Sequence, residues 1–297
     1  MCKNVSEVHV PVLEDEVMEH LQLRNGGVYV DATLGLGGHS ERILENTSPD
    51  GKVVGFEWDR QAVELAAERL GEYGDRLMII HSSYARLLEG LVQAGVGMID
   101  GLLLDLGVSS LQLDKGDRGF SFKADAPLDM RMDNRQKVTA ANLVEKLSKE
   151  EMADIFYNFG EERQSRRIAE HIVQARGKKT IETTVQLADI VSRAIPRKYH
   201  PKKKHVATKV FQALRIAVNR EFENIVKILA DAPVVMASGA RICVITFHSL
   251  EDRIVKQAFA GNEAYKFVTK RPVTPSEKEV FANPRARSAK LRVAEKV

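Results

Sequence analysis

Residues 28–40 read V-Y-V-D-A-T-L-G-L-G-G-H-S, and this stretch decides the fold. An apolar, β-branched run ends in an acid, Asp31, and three glycines follow at once, Gly35, Gly37 and Gly38. Such an order predicts a strand that stops at a tight turn and opens onto a helix near Ser40. Glycine lets the backbone approach a ligand closely, and the helix start behind it presents free N–H groups. The turn either binds a ligand or serves only as a tight turn, and the residues around it bear on which.

Three ligands compete. A phosphate-binding P-loop needs a Lys-Ser/Thr pair after the last glycine, whereas Gly38 is followed by His39 and Ser40, so that reading fails. A dinucleotide fingerprint is partly met by Gly35 and Gly37, but Ser40 takes the third glycine's place, and Asp31 would set a carboxylate against a pyrophosphate. S-adenosylmethionine suits the acid better, because it carries an ammonium and a cationic sulfur and no phosphate. Glu57 closes the second strand twenty residues after Gly37, where an acid accepts ribose hydroxyls. Tyr84, beyond the third strand, offers a face for adenine, or is simply a core or surface tyrosine.

Working outward, strands and helices alternate. A short amphipathic helix over 13–21 precedes strands at 28–33, 52–57, 77–81 and 99–106, with helices from 40, over 60–70 and over 86–94. Near-continuous apolar strands between helices predict a parallel sheet covered on both faces. The rhythm stops after Gln112: residues 113–205 show helical patterns at 148–159, 161–176 and 184–195, and no strand of comparable strength. It resumes with one long helix over 206–230, a strand at 240–247, a helix over 250–260 and two last strands, 266–270 and 289–294, read as an antiparallel closing hairpin. The expected fold is α/β: a Rossmann-like sheet that resembles those of S-adenosylmethionine-binding class I methyltransferases, mostly parallel, with an inserted all-helical domain. Its domains are 1–112 and 206–297 for the sheet and 113–205 for the helical insert.

Composition bounds the function. No apolar run approaches the ~20 residues that span a bilayer, and residues 1–16 lack a continuous signal-peptide core. Cys2 and Cys243 lie far apart, which argues for a reducing cytoplasm and against a disulfide or cysteine-metal framework. Net charge is only +3, yet residues 113–205 hold 20 Lys/Arg against 14 Asp/Glu, so the rest of the chain sums to −3. That block is either a solvated helical surface or a face for an anionic partner.

The fourth strand ends D-L-G-V-S-S at 105–110. Ligands in open α/β sheets sit outside the carboxyl ends of the strands, so Asp105 points toward the transferred methyl. Amino methyltransferases commonly carry an Asp/Asn/Ser-Pro-Pro-aromatic tetrad there, which this chain lacks. Asp105 can nevertheless accept the N–H bonds of an exocyclic amine, free its delocalised lone pair and take its proton. In-line attack then needs the nitrogen ~3–3.5 Å from the methyl carbon. No metal is required. His248 and Ser249, after the fifth strand, face the same crevice and are substrate-contact candidates; without a G-x-S-x-G elbow they make a poor hydrolase triad.

Taken together, G-L-G-G-H-S at 35–40, L-L-L-D-L-G-V-S-S-L-Q at 102–112, R-G-F-S-F at 118–122 and P-L-D-M-R-M-D at 127–133 form one pattern. With F-Q-A-L-R-I-A-V-N at 211–219, F-H-S-L-E-D-R at 247–253 and N-P-R-A-R-S at 283–288, the chain resembles the RsmH (MraW) family over nearly its whole length. That family methylates N4 of a cytidine in the decoding region of bacterial small-subunit ribosomal RNA. The resemblance implies donor binding by Gly37, Gly38, His39, Glu57, Tyr84, Asp105 and Gln112. Glu57 stands where the family often has Asp, and Tyr84 where it often has Phe. The resemblance also makes the helical insert the RNA-recognition module. Pro196–His205, P-R-K-Y-H-P-K-K-K-H, brings Arg197, Lys198, Tyr199, Lys202, Lys203 and Lys204 together, cations for phosphates and an aromatic for a base, unless it is a solvated linker. Arg118, Phe120 and Arg131 belong to a loop that either receives an extruded cytosine or forms the insert's packing seam. Two other readings remain at this point: a non-catalytic RNA-binding assembly factor with a vestigial donor site, and a nicotinamide-dependent oxidoreductase. The oligomeric state is open, a homodimer included.

Overall fold

A computed structural model describes residues 11–109, 111–112, 116–202 and 204–297. Cys2, Ser110, Leu113 and Lys203 lie outside the described residues. The chain forms two compact units, residues 1–107 with 222–297, and residues 108–221.

The first unit is built on seven strands: β1 (Val28–Asp31), β2 (Lys52–Glu57), β3 (Leu77–His81), β4 (Ile99–Asp105), β5 (Met236–Thr246), β6 (Tyr265–Phe267) and β7 (Lys290–Lys296). Their order is β3-β2-β1-β4-β5-β7-β6, and only β7 runs against its neighbours. The expected closing hairpin is present, with β7 wedged between β5 and β6. Strand side chains alternate between two cores. Val30, Val54, Leu102, Leu104, Ile242 and Val244 point to one, while Tyr29, Val53, Leu103, Cys243 and Ile245 point to the other. Both faces are therefore buried, which is why the strands read as continuous apolar runs. Helices α1 (Glu14–Leu21), α2 (Gly38–Asn46), α3 (Arg60–Arg69) and α4 (Leu87–Gln93) follow the sequence reading closely. The strand order reverses between β1 and β4, so the crevice that takes ligands in open α/β sheets opens at the ends of these two strands.

The second unit carries helices α5 (Ala140–Lys146), α6 (Lys149–Gly160), α7 (Ser165–Arg176), α8 (Thr184–Ala194) and α9 (Thr208–Asn219). Ser148 and Glu151 close the expected capping box at the start of α6. The helix expected over 161–176 begins four residues late, because Glu161 takes a left-handed conformation (φ 50°) and ends α6.

The single helix expected over 206–230 is instead two helices. Arg220 adopts φ 51°, stopping α9 at Asn219, and α10 (Glu221–Val235) starts afresh. Three hydrogen bonds of the buried Asn219 side chain lock the break. Its Nδ2 donates to the carbonyls of Met130 and Arg215, both at 2.8 Å, and its Oδ1 accepts from the Met132 N–H at 2.8 Å. Arg215 adds a two-pronged bond to Glu221, 2.8 and 2.9 Å. These bonds tie α9 to the helical unit, whose limits accordingly fall at 108 and 221 instead of 113 and 205. After the break, α10, α11 (Ser249–Gly261) and α12 (Glu277–Ala282) return to the sheet unit.

Candidate active site

The glycine turn forms as expected. Gly35 and Gly37 take φ 54° and 83°, left-handed values that an L side chain adopts only with strain. A β-carbon on Gly37 would lie 2.5 Å from Leu70 Cδ1, and one on Gly38 2.6 Å from Pro11 Cγ, so these two glycines are also demanded by packing. Gly35 is different: a β-carbon there would meet nothing closer than the Thr33 carbonyl at 3.8 Å, and the backbone stands open on that side.

Asp31, Glu57, Asp105 and Glu251 lie at or just beyond the carboxyl ends of the strands. Asp31 is 1% exposed and accepts from Ser40 Oγ at 2.7 Å and from the Thr33 N–H at 3.1 Å. Burial outweighs these bonds and pushes its pKa up to about 6. Glu57 accepts from three backbone N–H groups, Gly35 at 2.9 Å, Trp58 at 2.9 Å and Asp59 at 2.8 Å. Its pKa is still raised, to about 7, again mainly by burial. Asp105 ends β4, and its backbone N–H donates to Thr33 Oγ1 at 2.6 Å, which ties the ends of β1 and β4 together. Its Oδ1 is buried without a hydrogen-bond partner among the described residues. His39 Nε2 stands 3.8 Å from its Oδ2. Desolvation, then the charges of Asp31 and Glu251, push the Asp105 pKa up to about 8. Glu251, 1% exposed, accepts from the N–H groups of Phe247 (2.8 Å) and His248 (3.2 Å).

Several expected site residues have structural duties. Tyr84 lies in the core beside Val54 and Phe56, with its ring centroid 5.8 Å from that of Trp58. His248 caps α11, accepting the Glu251 N–H at Nδ1 (3.3 Å), with Nε2 3.1 Å from Glu251 Oε1. Ser249 is the exposed first residue of that helix. In the helical unit, Gln112 and Ser109 exchange bonds in one turn, the Ser109 N–H donating to Gln112 Oε1 at 3.2 Å. Arg118 donates to the carbonyls of Arg131 (2.6 Å) and Met132 (2.9 Å) and lies over the buried Phe120 ring at 5.7 Å. Arg131 grips Asp129 with two bonds of 2.7 Å. Both guanidiniums thus hold the 116–136 loop in shape, which favours its reading as a packing seam.

The 196–205 segment behaves otherwise. Arg197, Lys198, Tyr199, Lys202 and Lys204 are exposed, Tyr199 by 55%. His200 Nε2 meets the Ile195 carbonyl at 2.9 Å, and the His205 ring lies 4.7 Å from Phe122. The two histidines hold the segment down while its described cations face solvent.

Sequence reasoning missed Thr33, Ser40, Trp58 and Glu251 as site residues. For Ser40 a signal existed, a hydroxyl one helical turn into α2 and level with the β1 acid. Glu251 sat in plain view within F-H-S-L-E-D-R, but nothing local marks a carboxylate as buried.

The arrangement offers buried carboxyls to a small, cation-bearing ligand and an open glycine backbone beside them. A phosphate would meet these carboxylates unfavourably, so the set fits a sulfonium and ammonium donor. Similar proteins agree. A protein from Desulfotalea psychrophila is 55% identical, covering 99% of this chain and 100% of its own, and is named ribosomal RNA small subunit methyltransferase H. Proteins of the same name from a Cyanothece species and from Clostridioides difficile are 51% and 46% identical, covering 98% and 97% of this chain and 95% and 99% of theirs. The MraW methylase family matches residues 6–297, and this chain belongs to it.

Proposed function

We propose that this methyltransferase uses S-adenosylmethionine to methylate the exocyclic N4 amine of a cytidine in the decoding region of small-subunit ribosomal RNA, with Asp105 accepting the amine proton. The observation that carries the reading is the half-buried Asp105 carboxyl at the strand-order reversal, with one buried oxygen that has no partner among the described residues.

When bound, the donor supplies an electrophilic methyl group on a cationic sulfur that is already a good leaving group. The chain's residues are then left with positioning and proton acceptance. Asp31 is held by Ser40 and the Thr33 N–H so that its remaining lone pairs can take the donor's ammonium. Glu57 keeps acceptor capacity on Oε2 for the ribose hydroxyls, and Trp58 supplies aromatic surface beside it, backed by the buried Tyr84 ring. Gly35 provides the close backbone approach. Asp105 carries its proton when no cation is near, and a neighbouring positive charge favours the carboxylate that accepts an N–H bond. Its free Oδ1 is the acceptor for one amine hydrogen, and holding the amine there frees the nitrogen lone pair for in-line attack.

Amine chemistry is also favoured over carbon chemistry. Methylating a pyrimidine ring carbon requires a thiolate nucleophile, and Cys243, the one cysteine among the described residues, is buried in β5 with its thiol pKa pushed up. The helical unit is the proposed RNA-recognition element, through Arg197, Lys198, Tyr199, Lys202 and Lys204.

Transfer of tritiated methyl from the donor to small ribosomal subunits or their RNA tests the reading. The expected product after nucleoside digestion is N4-methylcytidine. Label in 5-methylcytidine or a ribose-methylated nucleoside would overturn it, and calorimetry showing no donor binding would favour the vestigial-site alternative.

A further inference from the structure

The N-P-R-A-R-S motif at 283–288 has no part in the donor site. It lies in a 22-residue excursion, 268–289, between β6 and β7. Because β7 is antiparallel to both β5 and β6, that excursion leaves β6 at its carboxyl end and returns at Lys290, opposite Thr246, the last residue of β5. It therefore opens at the same edge of the sheet as Asp31, Glu57 and Asp105.

Its charge sets it apart. The excursion holds five cations, Lys270, Arg271, Lys278, Arg285 and Arg287, against two acids, Glu277 and Glu279. Residues outside both it and the 113–205 block sum to −6, so the chain has two basic islands on an otherwise acidic background. One of the two acids is already engaged, since Glu279 Oε1 accepts the Leu13 N–H at 2.8 Å.

The excursion is also held in place. Val273 and Leu291 exchange backbone hydrogen bonds of 2.9 and 2.8 Å, and Asn283 Oδ1 accepts the Arg285 N–H at 3.2 Å. Ala286 and Ala289 are buried in the core, whereas Arg285 and Arg287, on either side of Ala286, face solvent. Phe281, on α12, is 91% exposed, more than any other large hydrophobic side chain among the described residues. A fixed aromatic in solvent within a cationic strip has the chemistry of single-stranded nucleic-acid sites, where cations track phosphates and rings stack on bases.

We infer that the 268–289 excursion is a second RNA-contact element, in which Phe281 stacks on an unpaired base of the substrate while Arg287, with Lys270 and Arg271, contacts flanking phosphates. This rests on the proposed ribosomal RNA substrate.

The test measures methylation kinetics and RNA affinity for Phe281→Ala, Phe281→Trp and Arg287→Ala, on both protein-free small-subunit RNA and assembled subunits. Phe281→Ala is expected to raise KM for RNA by roughly 5- to 100-fold, the range of one lost stacking contact, with kcat and donor affinity unchanged. Phe281→Trp should restore it. Arg287→Ala should flatten the dependence of log affinity on log salt by about 0.7, the value of one single-strand phosphate contact. Melting temperatures should not move, since both side chains are exposed. Wild-type KM and salt slope in all variants would overturn the inference. So would a defect confined to assembled subunits, which would mark a protein partner. If the wild-type enzyme neither binds nor methylates ribosomal RNA, the substrate reading fails first and the inference falls with it.

Discussion

The carboxyl edge of the sheet and the 196–205 segment treat charge in opposite ways. At the sheet edge, Asp31, Glu57 and Glu251 are withdrawn from water and held by N–H groups and a hydroxyl, Asp105 beside them is half-buried, and the pKa values of Asp31, Glu57 and Asp105 are raised. In the 196–205 segment Arg197, Lys198, Lys202 and Lys204 stay in water, while the histidine rings are tethered. The difference matches two kinds of partner. A small cation is bound by groups whose desolvation was completed during folding, so specificity and proton exchange are coupled. A polyanion is met by solvated charges whose effect is long-ranged and screened by salt.

The largest test of this contrast is Asp105→Asn. Removing the proposed proton acceptor while keeping the shape is expected to cut turnover at saturating donor by about 10²–10⁴-fold. Unchanged turnover would remove Asp105 from the chemistry. Next is salt. If the basic segment neutralises about four phosphates of a single strand, RNA affinity should fall roughly 50-fold between 50 and 200 mM salt. Donor affinity should barely move over the same range. Lys202→Ala with Lys204→Ala should make the RNA salt slope shallower, and an equal salt dependence for both ligands would break the comparison.

Proton linkage gives a third test, with a definite sign. The raised carboxyl pKa values mean that the folded, donor-free protein holds protons that the unfolded chain releases. Its stability should therefore fall as pH rises from about 4 to about 8, the window between the ordinary carboxylate values and that of Asp105. A cationic donor favours the ionised carboxylate, so donor affinity should rise by up to about tenfold per pH unit below pH 8 and level off above it. Calorimetry in buffers of differing ionisation enthalpy reads the released proton directly, and Asp105→Asn should abolish most of it. The smallest effect is expected from Gly37→Ala. Its left-handed φ and the Leu70 methyl group stand against a β-carbon, and a loss of about 1–3 kcal/mol in chemical denaturation would follow. A donor-binding loss much larger than that would show that the turn is tuned for the ligand more than for the fold.

What was legible in the chain was what local order controls. Strands that end in acids, glycines that follow Asp31, and the capping box at Ser148 all announce themselves within a few residues. The parallel sheet could be read from apolar runs because both of its faces are buried. The break at Arg220 could not, since α9 and α10 are each well patterned as helix. The stop is enforced by Asn219 reaching the carbonyl of Met130, 89 positions away, and accepting from Met132. The same limit applies to the site. That Arg118 and Arg131 serve their own loop, and that Glu251 adds a negative charge facing Asp105, are consequences of long-range packing. Sequence places charges along the chain, and it does not say which of them the fold has already engaged.

Glu57 has a consequence for anyone redesigning the donor site. The side chain proposed to read the ribose also gathers the N–H groups of Gly35, Trp58 and Asp59, so a single carboxyl fastens the glycine turn to the start of the loop after β2. A library that varies this position to admit bulkier donor analogues therefore varies the scaffold as well, and hits should carry compensating changes in the turn at 33–38. Enlarging the site through Trp58, which touches the ring of Tyr84 and fixes no backbone through its side chain, separates ligand choice from loop integrity.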